Sequence, residues 1–298
     1  MKIFRMIPLF IFITLLSSAS GKTYEMTYAG PIKGGAWLRD QKIEYDFEGV
    51  KDSGVVQIYF PAKYKKGDNL RTLIALHGYA GYMRDWELNS GIQALADKYD
   101  FIVVCPNMGR TLYETSYYPE TEVRWGRIPG GRFIGEILVS HMRKTFGIAR
   151  DRESTGVFGL STGARGALLV SGKYVDVFGA AAGLSGDYSH LSMTSDNLLI
   201  SMYGRYDLFE QRWKNDDNIM ELAVNLKNTP VFLSHGESDS IVPKEQSMVF
   251  AIKLKQLQKK HGGYEIEYKP GKNKGHDWKY WGSMLPDIME FFDKKLKR

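Results

Sequence analysis

Short apolar runs alternate along the chain with longer stretches in which apolar residues return every three or four positions. The runs VVQIYF (55–60), LIAL (73–76), FIVVC (101–105), TGVFGL (155–160), AAAGL (180–184), LLISMY (198–203), PVFLS (230–234) and YEIEYK (264–269) have the length and composition of strands. Helical patterns cover roughly 89–99, 132–146, 163–174, 244–261 and 283–297. The fourth sets Met248, Ile252, Leu254 and Leu257 near helical spacing. Strands alternating with helices predict an α/β fold: a mostly parallel central sheet with helices on both faces. The segment before Val55 reads as a leading β element and 107–131 as a long surface loop. The polar and aromatic stretch 187–218 reads as a cap or insertion near a site.

The amino end does not fit that alternation. MKIFRM is basic, IPLFIFITLL is apolar and SSASG is small, which predicts a secretory signal over 1–21 cleaved after Gly21. The apolar run is too short for a confident membrane span, so no stable membrane insertion is expected after cleavage. Residues 22–298 then form one domain, secreted or periplasmic. Cys105 is the only cysteine and ends a strand-like run, so it reads as an inert buried thiol, and a cysteine-rich zinc site is excluded. The formal charge of +6 falls to +4 without Lys2 and Arg5. Basic residues sit singly among acids, apart from KYKK (63–66), KK (259–260) and KKLKR (294–298), which argues for a solvated surface and against nucleic acid.

Candidate chemistry centres on GVFGLSTGARGAL (156–168). A buried strand runs into Gly159-x-Ser161-x-Gly163, and a helix follows directly. That is the setting of a nucleophile on a strained strand-to-helix turn. Gly166 would let the helix approach the sheet. A serine hydroxyl needs a base and an orienting acid. Of the six histidines, His276 lies after the last strand and before the last helix, where the order Ser, acid, His requires the base. His141 and His261 fall in or at the end of helices, and His235 directly follows a strand and reads as packed. Asp239, after PVFLSHGES, is the favoured acid, with Asp207 as its competitor. Asp187 lies too near the serine in the order, and Asp277, adjacent to the histidine, would point elsewhere. Backbone N–H groups of Thr162 and of Tyr79, in LIALHGYAG, are the candidate oxyanion donors.

These blocks resemble the putative-esterase group of α/β-hydrolases, which includes esterase D, feruloyl and other carbohydrate esterases, and mycolyltransferases. The resemblance is carried by LIALHGYAG (73–81), GVFGLSTGARGALLVSGKYVDVFGAAAGLSG (156–186), LSHGESD (233–239) and GHDWKYW (275–281), and extends from about 55 to 295. It implies the α/β-hydrolase fold, a Ser161, Asp239, His276 triad, and no metal or cofactor. Thr162 and Ala164 stand where the group often has Met and Gly, which bears on the acyl pocket. The expected activity is a serine carboxylesterase working through an acyl-enzyme. Aromatic residues near the proposed loops suit sugar rings or aromatic acyl groups, with Tyr82, Trp86, Trp125 and Trp278 as candidate substrate contacts. The expected substrate is therefore a small-molecule or polysaccharide ester of acetyl or feruloyl type. An acyltransferase of the same fold and a non-catalytic binding module are the alternatives.

Overall fold

The computed structural model describes residues 27–298; the expected signal segment, 1–21, lies outside them. The strands are β1 (Ala36–Phe47), β2 (Val50–Phe60), β3 (Arg71–Leu76), β4 (Phe101–Pro106), β5 (Thr155–Leu160), β6 (Ala180–Leu184), β7 (Val231–Gly236) and β8 (Ile266–Gly271). They form one sheet in the order β1-β2-β4-β3-β5-β6-β7-β8. β1 and β2 pair antiparallel with each other, as do β2 and β4, and every other pairing is parallel. Strands β3 to β7 are buried along their whole length, the result of helices covering both faces, and so they read as unbroken apolar runs. β1 is an edge strand with charged residues facing water, which protects it from pairing with another chain.

Side chains alternate across the sheet. Val157 of β5 joins Ile74, Val104 and Leu233 in one core layer with Leu168 and Phe250. Its neighbour Phe158 faces the other way, onto Leu285, Ile288 and Phe292 of the helix Trp278–Lys295 and Ile92 and Ala96 of the helix Ile92–Tyr99. Among the described residues no helix is long and apolar enough to cross a membrane.

Three expectations are corrected. LLISMY is not a strand but lies in the helix Asn197–Tyr203. The Asp196 carboxylate caps it by accepting from the Leu199 amide at 2.9 Å, and Gly204, at φ 74°, ends it. The 107–131 segment lacks regular structure up to Gly130, yet Met108, Leu112, Tyr113 and Ile128 are buried, so it is packed into the molecule rather than laid over its surface. The last helix begins at Trp278, well before 283, because the Asp277 side chain caps it by accepting from the Tyr280 amide.

The excursion between β6 and β7 builds a small separate core, in which its Leu199, Met202, Tyr203 and Trp213 close on Leu112 of the 107–129 segment. It is fastened from below by Arg165, a fully buried cation on the helix Thr162–Lys173. The guanidinium meets the Tyr203 hydroxyl at 2.9 Å and the Asp187 carboxylate at 3.4 Å.

Candidate active site

The turn after β5 carries Ser161 at φ 51°, ψ −126°, a backbone conformation that a side-chain-bearing residue adopts only under constraint. The constraint is visible. The Ser161 amide donates to the Leu184 carbonyl of β6 at 2.8 Å, and its own carbonyl accepts from Ala164 and Arg165 as the helix starts. The flanking glycines are required by contact: a Cβ on Gly159 would overlap the Gly163 carbonyl, and one on Gly163 would overlap the His77 carbonyl. Gly166 has a different reason from the one expected. It makes room for the Tyr113 ring of the 107–129 loop, not for the sheet.

His276 and Asp239 reach this serine from two other loops. The His276 Nε2 lies 3.0 Å from Ser161 Oγ, and its Nδ1 lies 2.7 Å from Asp239 Oδ2. The other carboxylate oxygen, Oδ1, accepts from the amides of Ile241 and Val242, both at 2.9 Å. Burial pushes the Asp239 carboxyl up, but the Val242 amide, His276 and the Ile241 amide outweigh it and hold the group below the usual aspartate range. The acid and histidine loops are laced together by backbone, with Glu237 donating to Gly271 and Ser238 to Lys274, each at 2.9 Å. Behind the imidazole stands Trp281, edge to face at 4.9 Å between ring centres, its indole N–H donating to Ser185 Oγ.

The competing acids lie elsewhere. Asp207 is exposed on the helix Tyr206–Asn215 and pairs with Arg205, and Asp187 is occupied by Arg165.

The turn after β3 is closed by Gly81 donating to the Gly78 carbonyl at 3.0 Å, with Tyr79 half-buried inside it. Gly78 abuts the serine: a Cβ there would stand 3.3 Å from that of Ser161. Thr162 opens its helix, a position whose amide has no partner within the helix. His77 is buried, accepting at Nε2 from the Met108 amide at 2.8 Å, so its other nitrogen carries the proton and faces the Gly78 carbonyl.

The four expected substrate aromatics divide. Trp86 is 0% exposed, its indole N–H given to the Leu76 carbonyl, so it is core and cannot touch a substrate. Trp125 packs on Phe133 with its N–H on the Asn107 carbonyl, a structural placement. Tyr82 is 44% exposed, and Trp278 is half-buried between Trp86 and Trp281. His235, which reads as packed after a strand, lies inside β7 and is buried against the acid, four residues before Asp239 in LSHGESD.

Residues 49–292 match the family model described as Putative esterase. An acetyl esterase of Caldicellulosiruptor saccharolyticus is 27% identical over 240 residues, which span 76% of this chain and 85% of the relative. Among solved structures, a ferulic acid esterase superposes with a TM-score of 0.63 at 19% identity, over 86% of this chain and 98% of its own. An S-formylglutathione hydrolase from Agrobacterium tumefaciens superposes with a TM-score of 0.68 at 14% identity, over 91% of this chain and 100% of its own. With four-fifths of its length matched by one family and its sheet shared with these folds, the chain belongs to the Putative esterase family and is an esterase on the α/β-hydrolase fold.

Proposed function

We propose that the protein hydrolyses carboxylic esters through Ser161, His276 and Asp239. The observation that carries this reading is the His276 ring, which spans Ser161 Oγ with one nitrogen and the Asp239 carboxylate with the other. Asp239 keeps the proton on Nδ1, which leaves Nε2 free to accept. Ser161 Oγ attacks the ester carbonyl as its proton passes to Nε2. The amides of Tyr79 and Thr162 hold the tetrahedral oxyanion. Collapse expels the alcohol, which takes the proton from Nε2. Water then gives a proton to Nε2 and attacks the acyl-enzyme, and the returning proton restores Ser161 as the carboxylic acid leaves.

The preferred substrate is a carbohydrate-linked ester of acetyl or feruloyl type. Supporting this are the acetyl esterase and ferulic acid esterase likenesses, together with the exposed Tyr82 ring and the half-buried Tyr79 and Trp278. The basic, apolar and small-residue order at the amino end supports export to the periplasm or the medium.

The test is hydrolysis of p-nitrophenyl acetate and butyrate beside acetylated and feruloylated oligosaccharides. Ser161→Ala should lose about 10⁶-fold in kcat. Equal rates for wild type and variant would sink the triad, and equal turnover of every ester would sink the sugar preference. Fractionating the native host tests export.

A further inference from the structure

We propose that His235 is a positioning residue for the acid–histidine pair, holding the Asp239 carboxylate toward His276 and sharing the charge of the same oxygen. The inference rests on the triad reading above. The His235 Nε2 lies 3.2 Å from Asp239 Oδ2, the oxygen that also meets His276, and 3.0 Å from the Val242 carbonyl. A carbonyl can only accept, so Nε2 carries the hydrogen and gives it to Val242, with Asp239 Oδ2 beside the same N–H at 3.2 Å. That leaves Nδ1 bare to accept from the Ser247 hydroxyl at 2.7 Å, on the helix Glu245–His261.

The ring is therefore satisfied at both nitrogens while neutral. Burial pushes its pKa below the usual histidine range, in keeping with a neutral ring. The titratable groups facing it are Asp239 and His276, and the helix presents the neutral Ser247.

A neutral donor here does two things. Beside the three donors on the carboxylate, the Ile241 and Val242 amides on Oδ1 and His276 on Oδ2, its polarised N–H stands against Oδ2 and holds the carboxylate plane. It also draws off part of the negative charge that His276 would otherwise feel. Without it, that charge acts on His276 less divided, the imidazolium gains, and the base is titrated at higher pH. The loosened carboxylate also orients His276 less well, which slows the reaction.

The test uses the purified mature protein and follows kcat/KM for p-nitrophenyl acetate from pH 4.5 to 9, with thermal melts and fluorophosphonate labelling of Ser161. His235→Phe, which keeps the ring and removes both nitrogens, should lose about 10- to 100-fold in kcat/KM at neutral pH. Its acid limb should move up by about 0.5–1 pH unit. His235→Gln, whose amide can donate from near the Nε2 position, should return the limb to its wild-type position with most of the rate. Ser247→Ala should move the limb in the same direction as His235→Phe by less. A folded His235→Phe with an unmoved limb overturns the assignment, as does His235→Gln behaving like His235→Phe. Should His235→Phe not fold, an unmoved limb in Ser247→Ala overturns it and an upward shift supports it. Wild type that hydrolyses the ester and labels on Ser161 while the variants keep its limb defeats the His235 role alone. Wild type that fails to label on Ser161 defeats the triad reading and this inference with it.

Discussion

The Tyr113 hydroxyl donates to the His77 carbonyl at 2.8 Å, which ties the irregular 107–129 segment to the end of β3. The same ring fills the space above Gly166, so one side chain braces both the Gly78–Gly81 turn and the helix behind Ser161.

Tyr113→Phe should leave the His77 carbonyl buried without this partner, at a cost of about 1–3 kcal/mol. A lower melting temperature and a reduced kcat/KM are expected together, since the turn bearing Tyr79 loses its tether. A melt and a rate both equal to wild type would show that the tether is not needed.

Asp239→Asn should abolish most activity with little change of shape. The Ile241 and Val242 amides require an oxygen at the Oδ1 position, so the new NH₂ faces His276. His276 must then bare Nδ1 and carry its proton on Nε2, where it cannot accept from Ser161. A drop in kcat of about 10⁴-fold is expected, the size seen when an acid-to-amide change forces the wrong tautomer in a serine protease. Steady-state kinetics beside a circular dichroism spectrum reads both halves of the claim.

Two buried groups should give stability opposite dependences on pH. Burial pushes the Glu114 carboxyl up to about 7 from an ordinary 4.5. Its pKa is raised on folding, so its contribution is fully present below 4.5 and is lost as pH climbs through 7. Burial, with the Arg165 charge adding to it, pushes His190 down to about 4 from 6.5. Its pKa is lowered on folding, so its contribution is present above 6.5 and is lost as pH falls toward 4. Each is worth at most about 3 kcal/mol. Urea unfolding from pH 4 to 8 should show Glu114→Gln gaining on wild type as pH rises, and His190→Gln gaining as pH falls. Parallel curves for all three proteins would refute both assignments.

Gly159→Ala and Gly163→Ala should each damage folding and activity, because the added Cβ meets backbone and not a side chain that can swing away. Overpacking of this kind costs about 1–3 kcal/mol or more. Soluble yield, melting temperature and fluorophosphonate labelling should fall together, and a stable, fully labelled Gly159→Ala would show that the elbow has slack.

The buried parallel strands were legible because burial on both faces writes them as continuous apolar runs, and the Ser161 turn was legible because its glycines are sterically required. Apolar runs alone do not separate strand from helix. LLISMY is as apolar as β7, and six residues cannot distinguish two-residue from 3.6-residue periodicity; Asp196 before it and Gly204 after it were the better signals. The 107–129 segment looked like surface because it lacks a repeat, although its Met, Leu and Tyr side chains are needed inside. Candidate aromatics could not be sorted from sequence, since Trp86 in the core and Tyr82 in solvent sit four residues apart. His235 read as packed, which is correct, but what it packs against is set by the fold of two loops.

The helix that begins at Thr162 is buried at every position through Gly172. Beyond its first turn its amides have no local route to solvent and should exchange for deuterium only when the whole domain opens. Ser161 thus stands at the head of a helix expected to be among the slowest-exchanging parts of the molecule.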